Sequence, residues 1–135
     1  MVEFERAIAT GMTARARGQA AGDAFRLAVD LYQGELLPQE GPAEWIVDRR
    51  EHFRRSAVEA ATWVAEEAAL IGDLDVAIRV CRRGLEIDRF HDPLWRLLIA
   101  ARDRAGDTGA AGRDRLEYES VLAGLGVEEV AASSA

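Results

Sequence analysis

Lysine and asparagine are missing from these 135 residues altogether, so every one of the 17 Lys or Arg positions is an arginine. That bias points to GC-rich coding and a bacterial source rather than to a functional choice. Cysteine and histidine are scarce as well. A lone Cys81 cannot close an intrachain disulfide, and with only His52 and His91 beside it there are too few soft ligands for a structural zinc site. A reducing cytoplasm is the expected setting. No stretch approaches the ~18 to 20 consecutive apolar residues that span a bilayer, and the opening MVEFERAIATG carries glutamate where a signal peptide is basic and then apolar. Neither secretion nor membrane insertion is expected.

The usual signatures of catalysis are also lacking. There is no glycine-rich phosphate loop, Gly-x-Ser-x-Gly elbow, His-Glu-x-x-His helix or Cys-x-x-Cys pair, so no enzyme activity and no cofactor are expected. A net charge of -7 repels phosphate backbones over the surface as a whole, which argues against direct DNA binding by this chain.

Strand signals are almost absent, whereas Ala, Leu, Glu and Arg dominate; the chain reads as helix from end to end. With 49% hydrophobic residues it suffices for one domain that buries roughly two thirds of its unfolded surface. Phe4, Ile8 and Met12, spaced by four, predict a first amphipathic helix ending near Gly18. A second is expected from about Asp23 to Gln33, with Phe25, Ala28, Val29 and Tyr32 inward and Gly34 as its cap. The segment GELLPQEGPAEW then breaks the pattern and reads as an irregular loop whose Leu36 and Leu37 tuck into the core. A long third helix runs from about Ala43 to Ile71 and a fourth from Leu74 to about Ile87. A fifth begins at Asp92-Pro93, with Asp as cap and Pro in the first position. A sixth, from Ala110 to about Leu122, ends at Gly124 or Gly126, leaving 128–135 as a disordered tail after a domain spanning 1–127.

Gly72-Asp73 recurs as Gly106-Asp107, an interval of 106 − 72 = 34 residues, the tetratricopeptide period. Ala77 and Ala111 stand five residues after each glycine, where close helix packing asks for a small side chain. Gly22-Asp23 reads as a third copy in front of the second helix. The expected fold is all-α: a tetratricopeptide-like, right-handed superhelical stack of about three antiparallel hairpins, none able to bury its apolar face alone.

Tyr32, Gly34, Leu36-Leu37-Pro38, Glu44-Trp45 and Arg49-Arg50, followed by Gly72-Asp73, Asp88, Gly106 and Leu125-Gly126-Val127, occur in an order that resembles the bacterial transcriptional activator domain. The resemblance spans most of the chain. It implies a cytoplasmic regulatory module that follows a winged-helix DNA-binding domain, supports homodimerisation and contacts the transcription machinery, RNA polymerase or a sigma factor. The winged helix itself is not in this sequence. One departure is the last repeat, GDTGAAGRDRLEYES: Gly109 and Gly112 stand where the family usually has better helix formers, each weakening the helix by about 1 kcal/mol. A stand-alone tetratricopeptide adaptor, or a sensor holding a small molecule between its helices, are the alternative readings.

Several clusters admit both a chemical and a structural reading. Asp88, His91 and Asp92 fall in one turn and have the types needed for a metal or an acid/base pair; the simpler reading is a helix connection, with Asp92 capping and His91 exposed. Cys81, on an apolar face, reads as a core residue rather than a nucleophile. Arg49, Arg50 and Arg54 form the candidate basic contact patch for phosphate or an acidic protein. Against it, Glu51–Arg55, Arg55–Glu59 and Asp48–His52 are spaced as solvated helix pairs. Of Trp45, Trp63 and Trp95 at least two read as packing residues, Trp63 being the least settled. Tetratricopeptide phasing lines the concave surface from the first helix of each hairpin, which nominates Glu59, Thr62, Glu66, Arg96, Ala100 and Asp103 as a mixed-charge groove for an extended or helical peptide.

Overall fold

A computed structural model of the chain describes residues 2–32 and 42–134, with side chains described up to residue 124. The described residues form helices α1 (Val2–Ala16), α2 (Gly22–Leu31), α3 (Ala43–Leu70), α4 (Leu74–Ile87), α5 (Asp92–Arg104) and α6 (Thr108–Ser134). Each helix packs against the next, and α3 also touches α5. The result is the expected tetratricopeptide-like stack of three antiparallel hairpins: α1/α2, α3/α4 and α5/α6. The readings of Gly34, Leu36 and Leu37 lie outside the described residues.

The hairpin turns explain the repeat. Gly18, Gly72 and Gly106 have φ of +68°, +82° and +83°, the left-handed region where a β-carbon is penalised. At each one the glycine N–H bonds the carbonyl three residues back, and the next N–H bonds the carbonyl five back: Gln19 to Ala14, Asp73 to Ala68 and Asp107 to Arg102. These are three copies of one Schellman motif. In the second and third, the residue after the glycine has a further job. Asp73 accepts from the Val76 N–H at 3.4 Å and Asp107 from the Ala110 N–H at 3.0 Å, so each aspartate leaves one helix and caps the next.

The first turn departs from the reading of Gly22-Asp23 as the third copy. Gly18 closes α1, three residues intervene, and Gly22 is the first residue of α2, preceded by Ala21 with no side-chain cap. A β-carbon at Gly22 would make only ordinary contacts, 3.7 Å from the Trp63 ring and 3.6 Å from a Glu67 carboxylate oxygen, so nothing among the described residues requires glycine there.

Two large apolar clusters, with a smaller one of Ala68, Ala77 and Ala101, hold the stack. Phe4, Phe25, Val29, Tyr32, Phe53 and Val64 join α1, α2 and α3; Val58, Cys81, Leu85, Leu94, Trp95 and Leu98 join α3, α4 and α5. The inward face of α1 is Phe4, Ala7 and Gly11 rather than Phe4, Ile8 and Met12. Ile8 is half-buried and Met12 exposed, because glycine and alanine let α2 approach so closely that Phe25 fills the space beside Gly11. Ala77 and Ala111 are both fully buried, as their shared repeat position requires. The backbone of α6 continues through Ser134, past Gly124 and Gly126, where the sequence reading ended it. No proline follows these glycines, and the Val, Glu and Ala beyond them sustain a helix at a modest glycine penalty.

Candidate protein-binding surfaces

The first helices of the last two hairpins place their exposed residues in register. On α3, Arg55, Glu59 and Glu66 are exposed and Thr62 half-exposed, at spacings of four, three and four; on α5, Arg96, Ala100 and Asp103 are exposed at four and three. Thr62 and Arg96, and likewise Glu66 and Ala100, are one 34-residue repeat apart. The nominated residues thus lie on the outward faces of two neighbouring helices, though their chemistry is not uniform.

Thr62 links the two hairpins. Its hydroxyl donates to the Val58 carbonyl at 2.8 Å, which leaves the oxygen to accept from His91 Nε2 at 3.1 Å. His91 is therefore half-buried and engaged, not simply exposed, and it occupies the N-cap of α5 without a side-chain capping bond. Asp92 does not cap α5; it is the first helical residue and pairs with Arg96 at 2.7 Å, one turn on. Asp88 stabilises the turn by accepting from the Phe90 N–H at 3.0 Å. No three of His, Cys, Asp and Glu come together as metal ligands among the described residues. Asp103 turns toward α6, where it pairs with Arg115. Glu59 shares a cleft of about 320 Å³ with Arg54, Arg55, Asp88 and His91.

The candidate basic patch is largely occupied from within the chain. Arg49 pairs with Glu5 at 2.8 Å and lies over the Phe53 ring at 4.6 Å, clamping α1 to α3. Arg54 grips Glu51 through two hydrogen bonds of 3.1 and 2.8 Å. Those bonds hold the Glu51 carboxyl below its ordinary pKa and raise that of Arg54. Glu51 thus pairs with Arg54, three residues on, rather than with Arg55, four on. Arg50 is exposed and is also engaged.

Among the tryptophans, Trp95 is buried and donates its indole N–H to the Arg89 carbonyl at 2.7 Å, while Trp63 packs on Phe25 with ring centroids 5.2 Å apart. Trp45 is the exposed one, at 47%. Cys81 is fully buried, and desolvation pushes its thiol up to about 12, which removes it as a nucleophile.

Two of the three hairpin turns stand one 34-residue repeat apart, and ion pairs brace the helices between and around them. The family model of the bacterial transcriptional activator domain matches residues 1–132. The chain belongs to that family. No curated protein and no solved structure matched it. The activator domain is a module of bacterial transcription factors, and its described helices include none long and apolar enough to cross a membrane. Sequence reasoning missed two features of this activator domain. One is the Thr62–His91 link, which spacing alone does not encode. The other is the buried Asp114, which Arg102 and the more distant Arg82 brace between α4, α5 and α6.

Proposed function

We propose that this domain is the interaction module of a cytoplasmic transcriptional regulator, acting through protein contacts while another domain binds DNA. The carrying observation is the repeat-register stripe of Glu59 and Glu66 on α3 with Arg96 on α5, exposed on adjacent helices, with Thr62 half-exposed between them. Such a stripe suits an extended or helical peptide of a partner such as RNA polymerase or a sigma factor. Self-association of the domain would bring two DNA-binding modules together. No cofactor enters this reading.

The test uses the intact regulator carrying Glu59→Arg and Glu66→Arg. Promoter binding stays at the parental level, measured by gel shift, while reporter transcription falls at least severalfold. Loss of DNA binding in step with transcription, or no change in transcription, overturns the reading. Light scattering across a concentration series reports separately on the homodimer: a strict monomer removes dimerisation from the proposal.

A further inference from the structure

The second helices of the first two hairpins, α2 and α4, leave a groove between them that Val64 of α3 helps to line and that shares no residue with the α3/α5 stripe. It is about 360 Å³, within the ~300–1,000 Å³ range of ligand-binding clefts. Val29, Val64, Val76 and Val80 line it, the first two buried and the others half-buried. Its polar lining is Arg26 and Asp30 from α2 and Arg79 from α4.

Among the described residues, several arginines elsewhere are paired within the chain and others, such as Arg6, Arg15, Arg17 and Arg113, are not; Arg26 and Arg79 are set apart by standing on the two walls of one apolar groove. Arg49, Arg54, Arg83, Arg96, Arg102 and Arg115 each hold a carboxylate of the chain itself. Arg26 and Arg79 form no hydrogen bond or ion pair among the described residues. Both are exposed, and they rise from opposite walls of an apolar cleft in a protein whose net charge is -7. Two unpaired guanidinium groups flanking a row of valines complement a segment with carboxylates on either side of a large apolar side chain. The apolar group enters between Val64 and Val80, and each arginine takes a carboxylate in bidentate geometry. The two arginines outnumber Asp30 in the groove, so its lining is net cationic although the chain as a whole is acidic.

We propose that the α2–α4 groove is a docking site for an acidic-apolar peptide segment of a partner protein, with Arg26 and Arg79 as its clamps. It rests on the reading of the domain as a protein-interaction module, but uses no residue of the α3/α5 stripe.

The experiment is a titration of the isotope-labelled chain, followed by amide NMR, with a short synthetic peptide in which Asp and Glu flank a central Leu-Phe pair. A second peptide has lysines in place of the acids. The expected result is a saturable shift of the Val29, Asp30, Val76, Arg79 and Val80 amides with the acidic peptide only. Binding weakens by about tenfold or more in the Arg26→Glu, Arg79→Glu double variant, whose circular dichroism stays parental because both residues are exposed. Equal binding of the lysine peptide, no saturable shift, or undiminished affinity in the variant overturns the proposal. A DNA duplex that displaces the peptide from the same amides also overturns it, in favour of nucleic acid. Shifts confined to α3 and α5 overturn it too, and support the stripe.

Discussion

The edge of the Phe25 ring occupies the space that a β-carbon on Gly11 would need, 2.5 Å from Cε1. The ring has little room to withdraw, because its other neighbours are buried residues of α1, α2 and α3 and the Trp63 indole. Gly11→Ala is therefore expected to destabilise the domain by about 1–2 kcal/mol, overpacking outweighing the better helix propensity of alanine. Urea denaturation measures it; an unchanged or raised midpoint refutes the close approach of α1 and α2.

The same substitution has the opposite sign in the last hairpin. A β-carbon at Gly112 meets nothing within 4 Å. Gly112→Ala should raise stability by about 0.5–1 kcal/mol, read as a higher denaturation midpoint, since only helix propensity changes.

The turn glycines form a third case, in which space is free and the backbone is not. At Gly72 and Gly106 nothing crowds a β-carbon, yet φ is +82° and +83°. Gly72→Ala and Gly106→Ala should each cost about 1–2 kcal/mol. Asp107→Ala should cost about 1 kcal/mol through the lost cap on α6. Equal tolerance of alanine at Gly72 and Gly112 in thermal melts contradicts the turn geometry.

Cys81 carries a pH signature. Burial favours its neutral thiol, so the folded value of about 12 lies above the ordinary 9.0. The unfolded chain loses this proton first, and the corresponding stability is complete below pH 9 and is lost as pH rises from there toward 12. Tyr32, also raised mainly by burial, adds a loss that begins near its ordinary 10.0. In Cys81→Ala the decline should start later, near pH 10. Urea melts at successive pH values test this; identical slopes in parent and variant between pH 9 and 10 reject it. The parent thiol should react with a disulfide reagent only as fast as the fold opens.

Among the described residues Asp114 is the charged one most committed to the interior, at 5% exposure, with Arg102 as its close partner. Asp114→Ala leaves the guanidinium uncompensated and should cost about 3 kcal/mol, whereas replacing both by Leu and Met should cost far less. A double variant as unstable as the single one contradicts this.

How much of this was legible in the sequence depended on whether one residue type had one role. Gly72-Asp73 and Gly106-Asp107 stood out because a single dipeptide both ends and starts a helix, so their spacing equals the repeat. Gly18 was legible as the end of the first helix but not as a copy of the repeat turn, because Gln19 follows it and cannot act the same way, and the visible Gly22-Asp23 drew the repeat reading four residues too far. The register of α1 failed for a related reason: an apolar count rewards Met12 and ignores Gly11, although a glycine defines the contact. Helical spacing allows partners at three or four residues, so Glu51 was assigned to Arg55 instead of Arg54. The link from Thr62 to His91 joins residues 29 apart, and no local rule reaches that far. The exposure of Glu59, Glu66 and Arg96 was readable because an amphipathic helix displays what it does not bury.

Residues 72–105 run from one Gly-Asp turn to the threshold of the next, and both turns carry the same pair of backbone hydrogen bonds. The chain can therefore be cut and rejoined there with little change of backbone at the seam, since Ile71 and Ala105 have φ of -86° and -74° and the glycines after them +82° and +83°. Duplicating that segment would lengthen the stack by one more helical pair, which makes this stretch of polypeptide a template by which such domains can grow through tandem copying.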